Sequence, residues 1–127
     1  NTSAVSATYK VLPELQDKFL AYSYRIPTNI VSSADLTIQL EKELDINTIK
    51  DTLSTYAAKN PDILSINKDA LVSSDFIRST FSGVVDYRFL KVKEDTVKIM
   101  VWYDNEWGYS SRVVDLLGYL KKSHNVS

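Results

Sequence analysis

The sequence predicts an α+β domain, with helices packed on one face of a mainly antiparallel, mixed sheet. Three observations carry this. Residues 34–40 alternate, with Leu36, Ile38 and Leu40 pointing one way and Asp35, Thr37 and Gln39 the other, the period of a half-buried strand. Ile46, Ile49, Leu53, Tyr56 and Ala57 recur three or four apart, the spacing of an amphipathic helix. Residues 97–103, VKIMVWY, form a nearly continuous apolar run that reads as a central strand.

The other elements follow in chain order. Residues 4–15 read as a helix that ends at Pro13 or just before it, because proline lacks the amide donor and restricts its predecessor. Residues 19–26, FLAYSYRI, are aromatic-rich and stop at Pro27, which predicts a strand. The alternating strand occupies residues 30–40, and Asn60-Pro61 closes the helix behind it. Short strands are expected at 63–66, 70–73, 81–87 and 89–92. From 105 to 120 the helical period returns, with Val113, Leu116, Leu117 and Leu120 as its inward stripe. There is no internal repeat and no low-complexity linker.

At 127 residues one domain is expected, large enough to bury about two-thirds of its unfolded surface. A net charge of −1 gives no field to concentrate nucleic acid or an anionic membrane, so neither is expected as a partner. No apolar run approaches the roughly 18 residues of a membrane span. Cysteine is absent, which removes disulfides, thiolate metal sites and a thiol nucleophile; no metal site is expected. The only histidine, His124, lies in the tail and reads as a surface residue rather than a base. Three glycines supply no phosphate-cradling loop. The chain opens on Asn, which points to a processed or excised piece of something longer.

Both tryptophans and two of the eight tyrosines crowd into residues 102–109, WYDNEWGY. With Ser110-Ser111-Arg112-Val113-Val114-Asp115-Leu116 behind it, this stretch resembles the C-terminal signature of phosphorylating glyceraldehyde-3-phosphate dehydrogenases. Four further segments keep that family's order and spacing. Lys10-Val11-Leu12-Pro13-Glu14-Leu15 resembles KVIPEL, and Arg25-Ile26-Pro27-Thr28 resembles RVPT. Asp35-Leu36-Thr37 resembles part of VDLT, and Val72-Ser73-Ser74-Asp75-Phe76 matches VSSDF. The resemblance runs from about Thr2 to Leu120. It implies the fold of the family's C-terminal catalytic domain, incomplete. The Rossmann nucleotide-binding domain, the catalytic cysteine and the catalytic histidine would all precede Asn1.

The resemblance also implies site residues. Asn105 corresponds to the asparagine that hydrogen-bonds the nicotinamide carboxamide; an amide matches a carboxamide with both donor and acceptor. Its structural alternative is the N-cap of the last helix. Tyr109 corresponds to the tyrosine beside the nicotinamide, or else packs the helix on the sheet. Arg25 corresponds to a phosphate-binding arginine, whose planar fork suits oxyanions, against the alternative of an exposed ion pair. Thr2 and Ser3 correspond to a phosphate-holding segment at a helix N-terminus, although Ser3 stands where the family has glycine. Trp102, Tyr103 and Trp107 read as core and wall. Asp104 and Glu106 read as capping and dipole-facing anions rather than catalysts. VSSDF reads as strand and turn.

For function, the resemblance implies part of an NAD-dependent dehydrogenase of glycolysis, cytoplasmic and tetrameric when complete, acting on a sugar phosphate and inorganic phosphate. In the family a cysteine thiolate attacks the aldehyde, hydride passes to NAD, and phosphate releases the acyl group as an acyl phosphate. The 127 residues alone are expected to bind no cofactor and to be inactive. Two alternatives stay open. Gln16-Asp17-Lys18-Phe19-Leu20-Ala21 and Asn1-Thr2 also resemble segments of erythrose-4-phosphate dehydrogenase. The chain could equally be a non-catalytic oligomerisation or interaction module derived from the family.

Overall fold

The computed structural model describes residues 3–27 and 30–124. Its elements are α1 (Ser3–Val11), β1 (Ser32–Gln39), α2 (Ile46–Lys59), β2 (Leu64–Asn67), β3 (Gly83–Lys93), β4 (Thr96–Tyr103) and α3 (Trp107–His124), with 3-10 turns at Pro13–Leu15 and Ser73–Phe76. The strands form one sheet in the order β1-β4-β3-β2. β1 and β3 both run antiparallel to β4, and β2 runs parallel to β3, so the predicted class holds and β4 is internal as expected.

Register decides what each face carries. Val97, Ile99 and Val101 of β4 stand opposite Ile38, Leu36 and Ala34 of β1, and Val101 also opposes Val85 of β3. Directly paired residues share a face. This face holds the main core, where Val85, Leu90, Val97 and Ile99 are buried and Ile46, Ile49 and Leu53 of α2 pack on them. Asp45 starts α2 by accepting the backbone N–H groups of Asn47 and Thr48, and Asn60 ends it by donating to the Tyr56 carbonyl. Because α2 lies over β2 and β3, Leu36 and Ile38 of β1 stay about two-fifths exposed.

The opposite face carries polar chemistry. Asp86 is fully buried there. Its carboxylate accepts Arg88 Nε (2.9 Å), Arg88 Nη2 (2.6 Å), Trp102 Nε1 (3.0 Å) and the backbone N–H of Arg88 (3.1 Å). The last bond diverts an amide from the ladder, and the β3–β4 register is irregular between Asp86 and Lys91. Arg88 also donates to the Leu71 carbonyl (2.6 Å), and Phe76 stacks on Trp102. The segment between β2 and β3 is thus drawn across this face as a second, smaller core with Val31 and Val84.

Several predicted elements differ. Residues 19–26 form no strand. No ladder partner is offered to them among the described residues, and Leu20, Tyr22, Tyr24 and Ile26 are mostly exposed. Aromatic strand propensity expresses packing on a sheet, not a backbone preference. Phe19 instead meets Tyr9 of α1 edge to face, and the Tyr9 hydroxyl donates to the Phe19 carbonyl. Residues 70–73 are likewise not a strand, and VSSDF is a 3-10 turn in which Asp75 accepts the Val72 amide. The two strands expected at 81–87 and 89–92 are one, β3. The apolar stripe of α3 is not inward: Val113, Leu116, Leu117 and Leu120 are all exposed, because no sheet surface lies opposite them.

Asp86 should govern acid stability. Burial, the largest single influence, would raise its pKa, but the bonds from Arg88 and Trp102 together outweigh it and hold the group at about 2, below its ordinary 3.8. A depressed native pKa contributes stability above the unfolded value, and that contribution is lost as pH falls from about 4 towards 2. Asp86→Asn should destabilise the fold by about 2–3 kcal/mol at pH 7 in urea unfolding. The variant should also lack most of the wild-type loss between pH 4 and 2.

Candidate functional site

The densest sequence motif becomes the joint between β4 and α3. The chain leaves the sheet at Tyr103 and must start a helix whose first amides have no partners of their own. Asp104, only 1% exposed, supplies them. Its Oδ1 accepts the N–H groups of Glu106 and Trp107, both at 2.9 Å. Its Oδ2 accepts the Arg78 amide at 2.9 Å, from the segment that crosses the sheet. Arg78 has a positive φ of 65°, in the left-handed region. Burial, the largest influence, would raise the Asp104 pKa, yet the bonds from Trp107, Arg78 and Glu106 jointly hold it below the usual carboxylate range.

Two further contacts fix the helix start. Gly108 is buried, and a Cβ on it would stand 2.8 Å from the Phe81 carbonyl oxygen, so only glycine allows this approach. Arg112 reaches back with Nη1 to the Asp62 carbonyl (2.6 Å) and Ser82 Oγ (3.1 Å), while pairing with Asp115.

The helical hydrogen bonds already run from Gly108 to Asp104 and from Ser110 to Glu106. Asn105 and Tyr109 therefore sit one turn apart as i, i+4 neighbours. Asn105 is exposed and its side chain makes no hydrogen bond among the described residues; Tyr109 is 72% exposed. The cap alternative for Asn105 is thus corrected, since Asp104 takes that role with a buried carboxylate. The packing alternative for Tyr109 fails on its exposure. Trp102 belongs to the core as expected, but Trp107 is 45% exposed and is not part of it. Glu106 is exposed.

Arg25 lies in the extended, exposed segment before Pro27, with no ion pair among the described residues. Ser3 opens α1, and its carbonyl accepts the Ser6 hydroxyl. Thr2 lies outside the described residues. No group of three or more histidine, cysteine or carboxylate side chains able to hold a metal occurs among the described residues. The Asp86–Arg88 pair was missed in the sequence. Its signal was an aspartate two positions before an arginine inside an apolar strand, a spacing that puts both on one sheet face.

The strand–helix joint thus presents an amide and a phenol beside the fully engaged Asp104 carboxylate, on a domain of the α+β class. Comparison with known proteins sharpens this class: residues 1–105 match the model of the glyceraldehyde 3-phosphate dehydrogenase C-terminal domain, and the chain belongs to that family. It is 44% identical over 126 residues to glyceraldehyde-3-phosphate dehydrogenase 1 of Saccharomyces cerevisiae, covering 97% of this chain and 38% of the yeast protein. It is 42% identical over 122 residues to the cytosolic enzyme of Pinus sylvestris, covering 94% and 36%. Glyceraldehyde-3-phosphate dehydrogenase 1 of Caenorhabditis elegans matches at 42% over 123 residues, covering 94% and 36%. The chain thus spans little more than a third of the length of these relatives.

Both fixed points of the joint can be checked by unfolding. Asp104→Ala strips the acceptor from three amides and should cost about 2–4 kcal/mol. Gly108→Ala should cost about 1–3 kcal/mol by overpacking against the Phe81 carbonyl. Neither change should be matched by Glu106→Ala, which should stay within about 0.5 kcal/mol.

Proposed function

We propose that this segment supplies nicotinamide and phosphate contacts to an NAD-dependent phosphorylating glyceraldehyde-3-phosphate dehydrogenase, and that its 127 residues alone do not carry out the reaction. The observation that supports this most is the division of labour at the α3 start. Asp104 satisfies the helix, so the Asn105 amide keeps its donor and acceptor for a ligand. That pairing fits a carboxamide, and the neighbouring Tyr109 ring offers an exposed edge beside it. NAD, when bound, supplies the hydride acceptor. Asn105 orients it, and orientation alone is worth several kcal/mol of barrier.

Arg25, exposed and without an ion pair among the described residues, gives a guanidinium to a phosphate of the sugar or to inorganic phosphate. To Ser3, at the start of α1, and to Thr2, outside the described residues, we assign phosphate contacts of the same kind. The chain has neither the thiol nor a placed imidazole for nucleophilic attack and deprotonation. We assign those groups and the nucleotide-binding domain to the remaining length of the protein. The exposed stripe of α3 and the exposed apolar side chains of residues 20–26 are consistent with surfaces that such a remainder covers. The pine and Arabidopsis thaliana relatives are named as cytosolic, and we place this protein in the same compartment.

Two experiments test the reading. The isolated chain should produce no NADH from glyceraldehyde 3-phosphate, NAD and phosphate; thiol-dependent NADH formation by chain of verified mass would overturn the inactivity. In addition, these residues can replace the matching stretch of the yeast relative. In that chimera Asn105→Ala should lower kcat about tenfold to a hundredfold. Arg25→Ala should instead raise the KM for phosphate or sugar phosphate by about tenfold or more. Unchanged kinetics in both variants would remove the site assignment.

A further inference from the structure

A cluster of cations lies beside the Asp86–Arg88 pair. Lys50 of α2, Lys68 just after β2, and Arg88 of β3 line one open cleft with Asp51, Ser54 and Tyr87. Its volume of about 480 Å³ is in the range of small-molecule sites. The ammonium groups of Lys50 and Lys68 stand over the Tyr87 ring, 5.8 and 6.0 Å from its centre. Both distances lie at the outer limit, about 6 Å, of cation–π attraction, so the two lysines flank one ring.

The rest of the cleft is fixed by hydrogen bonds. The Tyr87 hydroxyl donates its one hydrogen to the Lys50 carbonyl at 2.8 Å. Ser54 Oγ lies 3.0 Å from that hydroxyl, so Ser54 must be the donor between them. Neither hydroxyl has a hydrogen left for a ligand. Arg88 is held from beneath by Asp86 and the Leu71 carbonyl through Nε and Nη2. Its Nη1 makes no hydrogen bond among the described residues, and its side chain is 28% exposed. Every unused donor in the cleft is therefore cationic.

We propose that this cleft is a second anion site, which takes the phosphate or diphosphate group of a small molecule between Lys50, Lys68 and Arg88. Arg88 supplies a rigid, pre-oriented N–H edge, and the two lysines close on the anion as flexible point charges. Asp86, paired with Arg88, Asp69, which acts on Arg88 from the loop after β2, and Asp51 in the lining moderate the field. The Tyr87 ring is occupied by the lysines, so the ligand is held by its anion and not by stacking. The site is separate from the phosphate contacts proposed for Arg25.

Inorganic pyrophosphate is the probe, titrated into the full 127-residue chain and followed by amide chemical shifts. Saturable shifts at Ser54, Lys68, Tyr87 and Arg88 are expected, with a dissociation constant no weaker than about 1 mM at low salt. The double variant Lys50→Gln/Lys68→Gln should weaken binding at least tenfold, while Arg25→Ala leaves it unchanged. If the double variant disturbs amides throughout the sheet, Lys68→Gln alone, on an exposed position, should still weaken binding threefold or more. Non-saturating shifts, equal shifts from sodium chloride at matched ionic strength, or binding abolished by Arg25→Ala would each overturn the proposal. The last outcome would leave the Arg25 reading intact, and loss of the Arg25 reading would not touch this one.

Discussion

The structure turns on one carboxylate. Asp104 joins three segments that are remote in sequence: the end of β4, the first turn of α3 and the loop that carries Arg78. An ionised carboxylate accepting several backbone amides is held strongly when water is excluded, because each amide would otherwise be left without a partner. With Oδ1 shared by two helix amides and Oδ2 on the loop, the direction of α3 relative to the sheet is set at a single buried point. Gly108 permits the close approach that this geometry needs.

A second carboxylate on the same sheet completes the clamp. Asp86 receives Trp102 Nε1, and the Trp102 ring stacks on Phe76 at 5.5 Å and 14°. Phe76 belongs to the segment whose Arg78 amide ends on Asp104. The same segment is gripped at its other end, where Arg88 donates to the Leu71 carbonyl. Residues 71–78 are thus tied at both ends to acids or their partners, with an aromatic stack between. That arrangement explains why VSSDF folds as a tight 3-10 turn although its valine, serine and phenylalanine suit a strand. Arg88, whose Nε and Nη2 serve Asp86 and the Leu71 carbonyl, also lines the cleft with Lys50 and Lys68.

What the sequence made legible follows the physics of periodicity. α2 and β4 were readable because their apolar faces meet in the main core, and β1 from its alternation, although Leu36 and Ile38 stay about two-fifths exposed. The α3 stripe and the run from Phe19 to Ile26 carry the same kind of signal, yet their surfaces find no counterpart among the described residues. Amphipathicity states that a face favours burial and leaves open what buries it. Asn105, Tyr109 and Arg25 were reached through resemblance, and their exposure could not be inferred from spacing. The exchange of roles between Asp104 and Asn105 was hidden for a related reason. Both are favoured caps, and only the position of the last strand residue decides which one lies at the buried joint.

The two perturbed acids that are buried, Asp86 and Asp104, bear on the chemistry open to these residues. Perturbed carboxylates in a fold often mark catalysis, but the useful perturbation for proton transfer at neutral pH is upward. Asp86 and Asp104 are both shifted downward, by donors that engage both of their oxygens. Groups so stabilised as anions are poor bases, and at neutral pH they have no proton to give as acids. Their role is to hold Trp102, Arg78, Arg88 and the α3 amides in place. Asp104 fixes the backbone from which Asn105 projects, not the Asn105 amide itself, which makes no hydrogen bond among the described residues. With both buried acids engaged in this way, the joint leaves that amide and the Tyr109 ring exposed at its outer side.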